Sequence, residues 1–297
     1  MKRILTLMLL LLLLLSGCAP TTEYARIAAT TLPVYEFTAA LCEGTGITVT
    51  RLVTEEVSCL HDYSLNVRQV RAAEAAQLIV ISGAGLEAFL DDLLLGADIV
   101  DASRGIELLC PKEGHDHSHE EEEHHSHEGH SHDRDPHIWL SPAHAMTMAE
   151  NICAGLCESY PEHTDAFHAN LDALLGRIAE VQAYGAEALS TLSCREIITF
   201  HDGFAYFADA FGLTILEAVE EESGSEASAK ELIHLIEEVE HHQLPAIFTE
   251  KSGSVSAASI IARETGCETY TLDMAMAGHS WFDAMYHNID TIKEALQ

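Results

Sequence analysis

Apolar and polar positions follow two periods along most of this chain. Short apolar runs such as Leu78-Ile79-Val80-Ile81 and Ala246-Ile247-Phe248-Thr249 are bounded by polar turns. Such runs mark strands buried on both faces of a parallel sheet. Between them, apolar residues recur every three or four positions, as on amphipathic helices. The pattern predicts strands over 24–30, 46–53, 78–81 and, more weakly, 99–100, with helices over 33–42 and 67–76 and an amphipathic stretch over 86–95. It resumes with strands over 195–200, 214–219, 246–249 and 269–272, and helices over 204–211, 225–242, 255–266 and 281–296. Ser141 and Pro142 supply an N-cap and a first-turn proline for a helix over 143–160. Phe167, Leu171, Leu174, Leu175, Ile178 and Val181 repeat on one face and predict a single helix over 162–192. That helix would run roughly 45 Å at about 1.5 Å per residue, a strut between two halves. The predicted class is α/β: two similar domains, 24–160 and 193–297, each a small parallel β-sheet flanked by helices, joined by a long backbone helix over 161–192.

Two stretches break this pattern. Lys2 and Arg3 precede a leucine-rich run over 4–15, too short to span a bilayer and suited to an export signal over 1–17. It ends in Leu15-Ser16-Gly17-Cys18, which resembles the bacterial lipobox. That resemblance implies cleavage before Cys18 and acylation of its thiol, with 18–23 as a lipid-anchored linker. The expected location is extracytoplasmic, anchored to the bacterial cell membrane or within a periplasm. The second stretch, 111–134, holds His115, His117, His119, His124, His125, His127, His130 and His132 among many carboxylates. It has too few apolar residues to build a core and is expected to be a mobile, metal-recruiting loop.

Charge points the same way. The formal net charge is −33, so the surface repels nucleic acid and attracts cations. Attraction of that kind is nonspecific, and selectivity needs a built site. Cys42, Cys59, Cys110, Cys153, Cys157, Cys194 and Cys267 follow Cys18 in spacings that match no zinc ribbon. Buried free thiols, or a disulfide whose pairing the spacing does not reveal, are the expectation.

In parallel sheets, ligands bind beyond the carboxyl ends of the strands. Four residues fall there or in the loops that follow: His61, His137, His201 and Asp273, two from each half. Three imidazoles and a carboxylate suit Zn²⁺, which takes four such ligands in a tetrahedron. A closed shell of four leaves no place for an activated water and favours binding over hydrolysis. Neutral imidazoles are required, so affinity is expected to fall as pH drops through about 6.5. Asp202, beside His201, is a candidate to orient that imidazole or, the favoured reading, to cap the helix after it. Glu250 and His279 are candidates for supporting roles, His241 and His242 for a solvated helix end, and His144, His163 and His168 for surface positions.

Residues 135–142, Asp-Pro-His-Ile-Trp-Leu-Ser-Pro, carry a resemblance, as do 200–207, Phe-His-Asp-Gly-Phe-Ala-Tyr-Phe. With Phe248-Thr249-Glu250, Glu264-Thr265-Gly266 and Leu272-Asp273, they resemble the zinc/manganese solute-binding lipoproteins of bacterial ABC importers, the cluster called A-I. The likeness covers nearly the whole chain after Cys18. It implies two α/β domains with a metal buried between them, ligated by His61, His137 and His201, with Asp273 at the carboxylate position and either it or a water as the fourth ligand. A third histidine at 201 favours zinc over manganese. The implied partners are an ABC permease and its ATPase, with no catalysis. Departures are Met274 after the aspartate, Leu60 before His61, and no proline over 61–67. The alternatives are a manganese or other divalent-metal receptor, and an adhesin or zinc buffer on the same fold. More distant is an exported zinc hydrolase, which lacks a His-Glu-x-x-His motif.

Overall fold

The structure is a computed structural model that describes residues 27–55, 57, 60, 63–90, 94, 96–109, 134–219, 227–251 and 255–297. Four strands of the first half, β1 (Ile27–Ala29), β2 (Val49–Arg51), β3 (Leu78–Ile81) and β4 (Ile99–Asp101), form one sheet in the order β2-β1-β3-β4. Four strands of the second half, β5 (Glu196–Thr199), β6 (Thr214–Ala218), β7 (Ala246–Glu250) and β8 (Glu268–Leu272), form another in the order β6-β5-β7-β8. Every pairing is parallel. The two sheets share one topology, so each has its switch of direction between its first and third strands. That is where a parallel α/β sheet opens a crevice at its carboxyl edge.

Helices α1 (Leu32–Leu41) and α2 (Val67–Ala75) lie between strands of the first sheet. Asn66 closes a capping box with Gln69 at the start of α2. Within 86–95 the described residues hold a short 3₁₀ turn, Ala88–Leu90, and a helical Leu94. A tight turn leads into this stretch. Gly83, Ala84 and Gly85 all have positive φ, and the Glu87 side chain turns back to accept from the N–H groups of Ser82 and Gly83. A side chain on Gly83 would run into Asp101, so only glycine fits that turn.

Helix α3 (Pro142–Ser159) leads through a 3₁₀ turn, Pro161–His163, into α4 (Thr164–Ala188). The strut is therefore shorter than the sequence pattern predicts: 25 residues, roughly 37 Å at 1.5 Å per residue. Ser190 ends it by directing both its N–H and its hydroxyl at the carbonyl of Glu187. The buried face of α4 carries Phe167, Leu174, Ile178 and Val181 as expected. Helices α5 (Ala205–Phe211), α6 (Ala229–His242), α7 (Ser256–Thr265) and α8 (Trp281–Leu296) complete the second half. Helix α6 begins later than expected, where Ser228 and Glu231 form a capping box.

The largest apolar cluster does not stop at either half. Phe37, Leu140, Ile178, Phe207, Met274 and Trp281 all belong to it. Hydrogen bonds stitch the same seam. The Leu32 N–H donates to Met276 O, Arg51 Nη1 to Gly278 O, and the Ser280 hydroxyl and Trp281 N–H to the Glu36 carboxylate. Glu36 thereby places negative charge at the N-terminus of α8, where the helix dipole favours it. Among the described residues, no helix is long and apolar enough to cross a membrane.

Candidate metal centre

The centre is built from two short segments, one from each half. In the first, Asp135-Pro136-His137 runs into a 3₁₀ turn, Ile138–Leu140, whose three side chains are completely buried. That wedge leaves His137 little freedom, with 4% of its surface exposed. Asp135 Oδ1 accepts both the His137 N–H, at 2.8 Å, and His137 Nδ1, at 2.7 Å. A carboxylate on Nδ1 selects the tautomer that carries its proton there. The lone pair is then on Nε2, the arrangement that suits a metal-ligating imidazole. The second oxygen of Asp135 is buried without a hydrogen-bond partner among the described residues.

The second segment leaves β5 at Thr199 and turns through His201-Asp202-Gly203 before α5. Thr199 Oγ1 donates to the His201 carbonyl and steadies that turn. The His201 ring meets the His137 ring edge-on, 5.3 Å between centroids at 82°. Its Nδ1 lies 3.7 Å from Oε2 of buried Glu250, the last residue of β7. Both therefore sit at the switch point between β5 and β7. Gly203 lets the pair approach. A Cβ there would lie 2.4 Å from the Met274 methyl, 2.8 Å from His201 Cδ2 and 3.2 Å from His137 Nδ1.

Asp273 follows β8 at the same seam. Its N–H donates to Asn288 Oδ1, and its Oδ1 accepts from the Ala275 N–H. Its Oδ2 lies 3.6 Å from Lys251 Nζ. So the structure brings His137 and His201 together, while the Asp273 carboxylate is engaged by its own turn and a lysine. His61, the eight histidines of the acidic tract and Cys18 lie outside the described residues. Among the described residues, no three His, Cys, Asp or Glu side chains are grouped to hold an ion.

Several smaller expectations change. Asp202 does not cap α5; Phe204 occupies that position, because the turn at Gly203 intervenes. Asp202 is instead half-buried, and burial and the nearby Asp135 raise its pKa while His137 lowers it. His144 is not a surface residue. It is half-buried with its ring 5.2 Å from that of Tyr206, and desolvation holds it below the usual histidine range despite Asp209. His242 is tied to Glu196 at 2.9 Å and Glu238 at 3.5 Å, whereas His241, His168 and His279 are exposed. Among the described cysteines, Cys42, Cys153, Cys157, Cys194 and Cys267 are free thiols. Burial pushes Cys42 and Cys153 up to about 12.

The site also contains residues the sequence reading did not single out. Asp135 was visible there only as part of a motif, and its role as the partner of His137 comes from the fold. Tyr206 likewise stood there only inside a motif, and Lys251 gave no signal, since it looks like a solvated charge.

Comparison with known proteins adds three findings. The family profile described as zinc-uptake complex component A, periplasmic, matches residues 27–295. A relative from Streptococcus pyogenes named zinc-binding protein AdcA is 29% identical over 286 residues, covering 90% of this chain and 55% of its own length. A relative from Treponema pallidum named for metal binding is 28% identical over 243 residues, covering 79% of this chain and 76% of its own. This chain thus spans about half the length of the streptococcal relative. The crystal structure of ZnuA superposes with a TM-score of 0.77 at 27% identity, over 92% of this chain and all of that one.

Proposed function

We propose a function from one premise: the chain belongs to the zinc-uptake complex component A family, whose members are zinc-binding receptors of ABC importers. In this reading the protein captures Zn²⁺ outside the cytoplasm and delivers it to a membrane permease driven by an ATPase. The ion is cargo and undergoes no chemistry. His137 and His201 supply two of its nitrogens, His61 a third and the Asp273 carboxylate the fourth position. Asp273 would exchange Lys251, 3.6 Å from its Oδ2, for the metal.

One observation carries this reading: two imidazoles from opposite halves meet at 5.3 Å, one of them with a carboxylate already on its Nδ1. Imidazoles are not otherwise driven together, and a shared cation is the simplest reason to bury them so. The continuous core and the hydrogen bonds across the seam support a receptor that moves little on loading. Cys18 would anchor the chain to the membrane through its acyl groups, and the histidines of 111–134 would raise the local zinc concentration.

Calorimetric zinc titration of the purified chain tests the assignment. His137→Ala and His201→Ala are each expected to weaken the tight site by more than about 100-fold, the loss of a direct ligand exceeding the 10–100-fold typical of supporting partners. Removal of residues 114–132 is expected to leave that site intact. Loss of tight binding in the loop deletion, with His137→Ala unaffected, would place the zinc elsewhere.

A further inference from the structure

Tyr206 belongs to α5 of the second half, yet its hydroxyl bonds to two backbone groups of the first. It accepts the N–H of Leu109 at 2.9 Å and donates to the carbonyl of Asp135 at 2.8 Å. The Asp135 N–H in turn donates to the Leu109 carbonyl at 3.0 Å. Leu109 and Asp135, the residues on either side of segment 110–134, are thus fastened to one another and to one phenol. Tyr206 is only 1% exposed, and the ring of His144 rests edge-on against it. Both bonds are therefore shielded from water, where a missing partner is costly.

The same residue, Asp135, holds His137 through its carboxylate. With the peptide groups on both sides of its Cα hydrogen-bonded, Asp135 is restrained in φ and ψ, and its side chain inherits that restraint. The Leu109 and Tyr206 bonds thus set where the carboxylate stands, and the carboxylate sets the tautomer and tilt of His137. Helix α5 begins four residues after His201, so the element that presents one imidazole also steadies the other.

We propose that Tyr206 is a positioning residue for zinc capture, acting through Asp135 on His137 across the seam between the two halves. This rests on the reading of His137 as a ligand. Tyr206 does not touch the metal. Its contribution is to hold a supporting carboxylate in register before the ion arrives, so that less order is lost on binding.

The test uses the full chain with four variants: Tyr206→Phe, Asp135→Ala, the two combined, and His137→Ala. Zinc affinity is measured by competition with a chromophoric chelator. The His137 tautomer is read in the metal-free protein from the ¹⁵N shifts of its ring. Tyr206→Phe keeps the ring that packs on His144 and removes only the hydroxyl. Affinity is expected to fall about 10-fold in Tyr206→Phe and somewhat more in Asp135→Ala, within the range typical of partners behind a ligand. The combined variant should lose no more than Asp135→Ala alone, since the two act in series. The ring shifts should move from one tautomer toward a mixture in both single variants. A purely structural tyrosine would lower the melting temperature while leaving affinity and tautomer unchanged, and that result overturns the proposal. So do losses that multiply in the combined variant. Wild-type affinity in His137→Ala overturns the ligand assignment itself, and with it this inference. Weak binding in His137→Ala beside normal binding in Tyr206→Phe overturns the inference alone.

Discussion

The indole Nε1 of Trp139 donates to the carbonyl oxygen of Met274 at 2.7 Å, inside a site with no exposed surface on the tryptophan. Trp139 lies two residues after His137, and Met274 one residue after Asp273. The Trp139 carbonyl in turn accepts from the Trp281 indole at 2.9 Å. This bond therefore fixes the spacing between two candidate ligands that come from opposite halves. Trp139→Phe leaves the Met274 carbonyl buried without its donor, at a cost of about 1–3 kcal/mol. Thermal denaturation should show a fall of several degrees, and a zinc titration a several-fold loss of affinity. Normal affinity in a destabilised variant would separate the seam from the metal centre.

Gly203 tests how tightly the two imidazoles are packed. A methyl group there meets the Met274 methyl at 2.4 Å and His201 Cδ2 at 2.8 Å, inside van der Waals contact on both sides. Gly203→Ala should displace His201, Met274 or both. Zinc affinity should drop roughly 10-fold, with overpacking costing about 1–3 kcal/mol of stability. Unchanged affinity would mean the imidazoles have room to spare.

Glu87 gives the metal-free fold a pH dependence of one sign. It is buried at the carboxyl edge of the first sheet, where it accepts from the Thr30 hydroxyl and the Ser82 and Gly83 N–H groups. Desolvation still dominates and pushes its pKa up to about 7. Below the free value the folded and unfolded chains are both protonated and its contribution is fully present; that contribution is lost as pH rises through about 7. Glu87→Gln keeps the shape without the titration. Denaturant unfolding between pH 5 and 8.5 should show a flatter profile in the variant, and parallel profiles would contradict the raised value.

His144 should act with the opposite sign. Burial holds its pKa below the usual range, so the folded chain resists a proton that the unfolded chain accepts. Its contribution is present above the free histidine value, about 6.5, and is lost as pH falls below it. In His144→Phe the ring against Tyr206 is kept and the titration removed. The metal-free variant should lose less stability than the parent between pH 7 and 5.5, and equal losses would show that His144 stays solvated.

Much of this was legible in the sequence because strong local patterns survive tertiary context. The runs 78–81 and 246–249 are too apolar to be anything but buried strands, and Ser141-Pro142 opens α3 where expected. His137 and His201 were legible because each follows a strand or precedes a rigid turn. What escaped depended on contacts distant in the chain. Asp202 looks like a helix cap, but Gly203 inserts a turn and moves the cap to Phe204. His144 sits on an amphipathic helix, and only the fold sets Tyr206 against it. The strut ran past its end in the sequence reading because apolar residues continue to Leu192, while Ser190 closes the last turn through a carbonyl. Strand order is set by which edges meet, and no local pattern encodes that.

Diffraction data collected at the zinc absorption edge, from crystals of the chain loaded with one equivalent of zinc, test the central claim most directly. A zinc site at the seam predicts one dominant anomalous peak there, about 2.0–2.1 Å from ring nitrogens of His61, His137 and His201. A dominant peak elsewhere, with the rings of His137 and His201 still packed edge to edge and unligated, would contradict it.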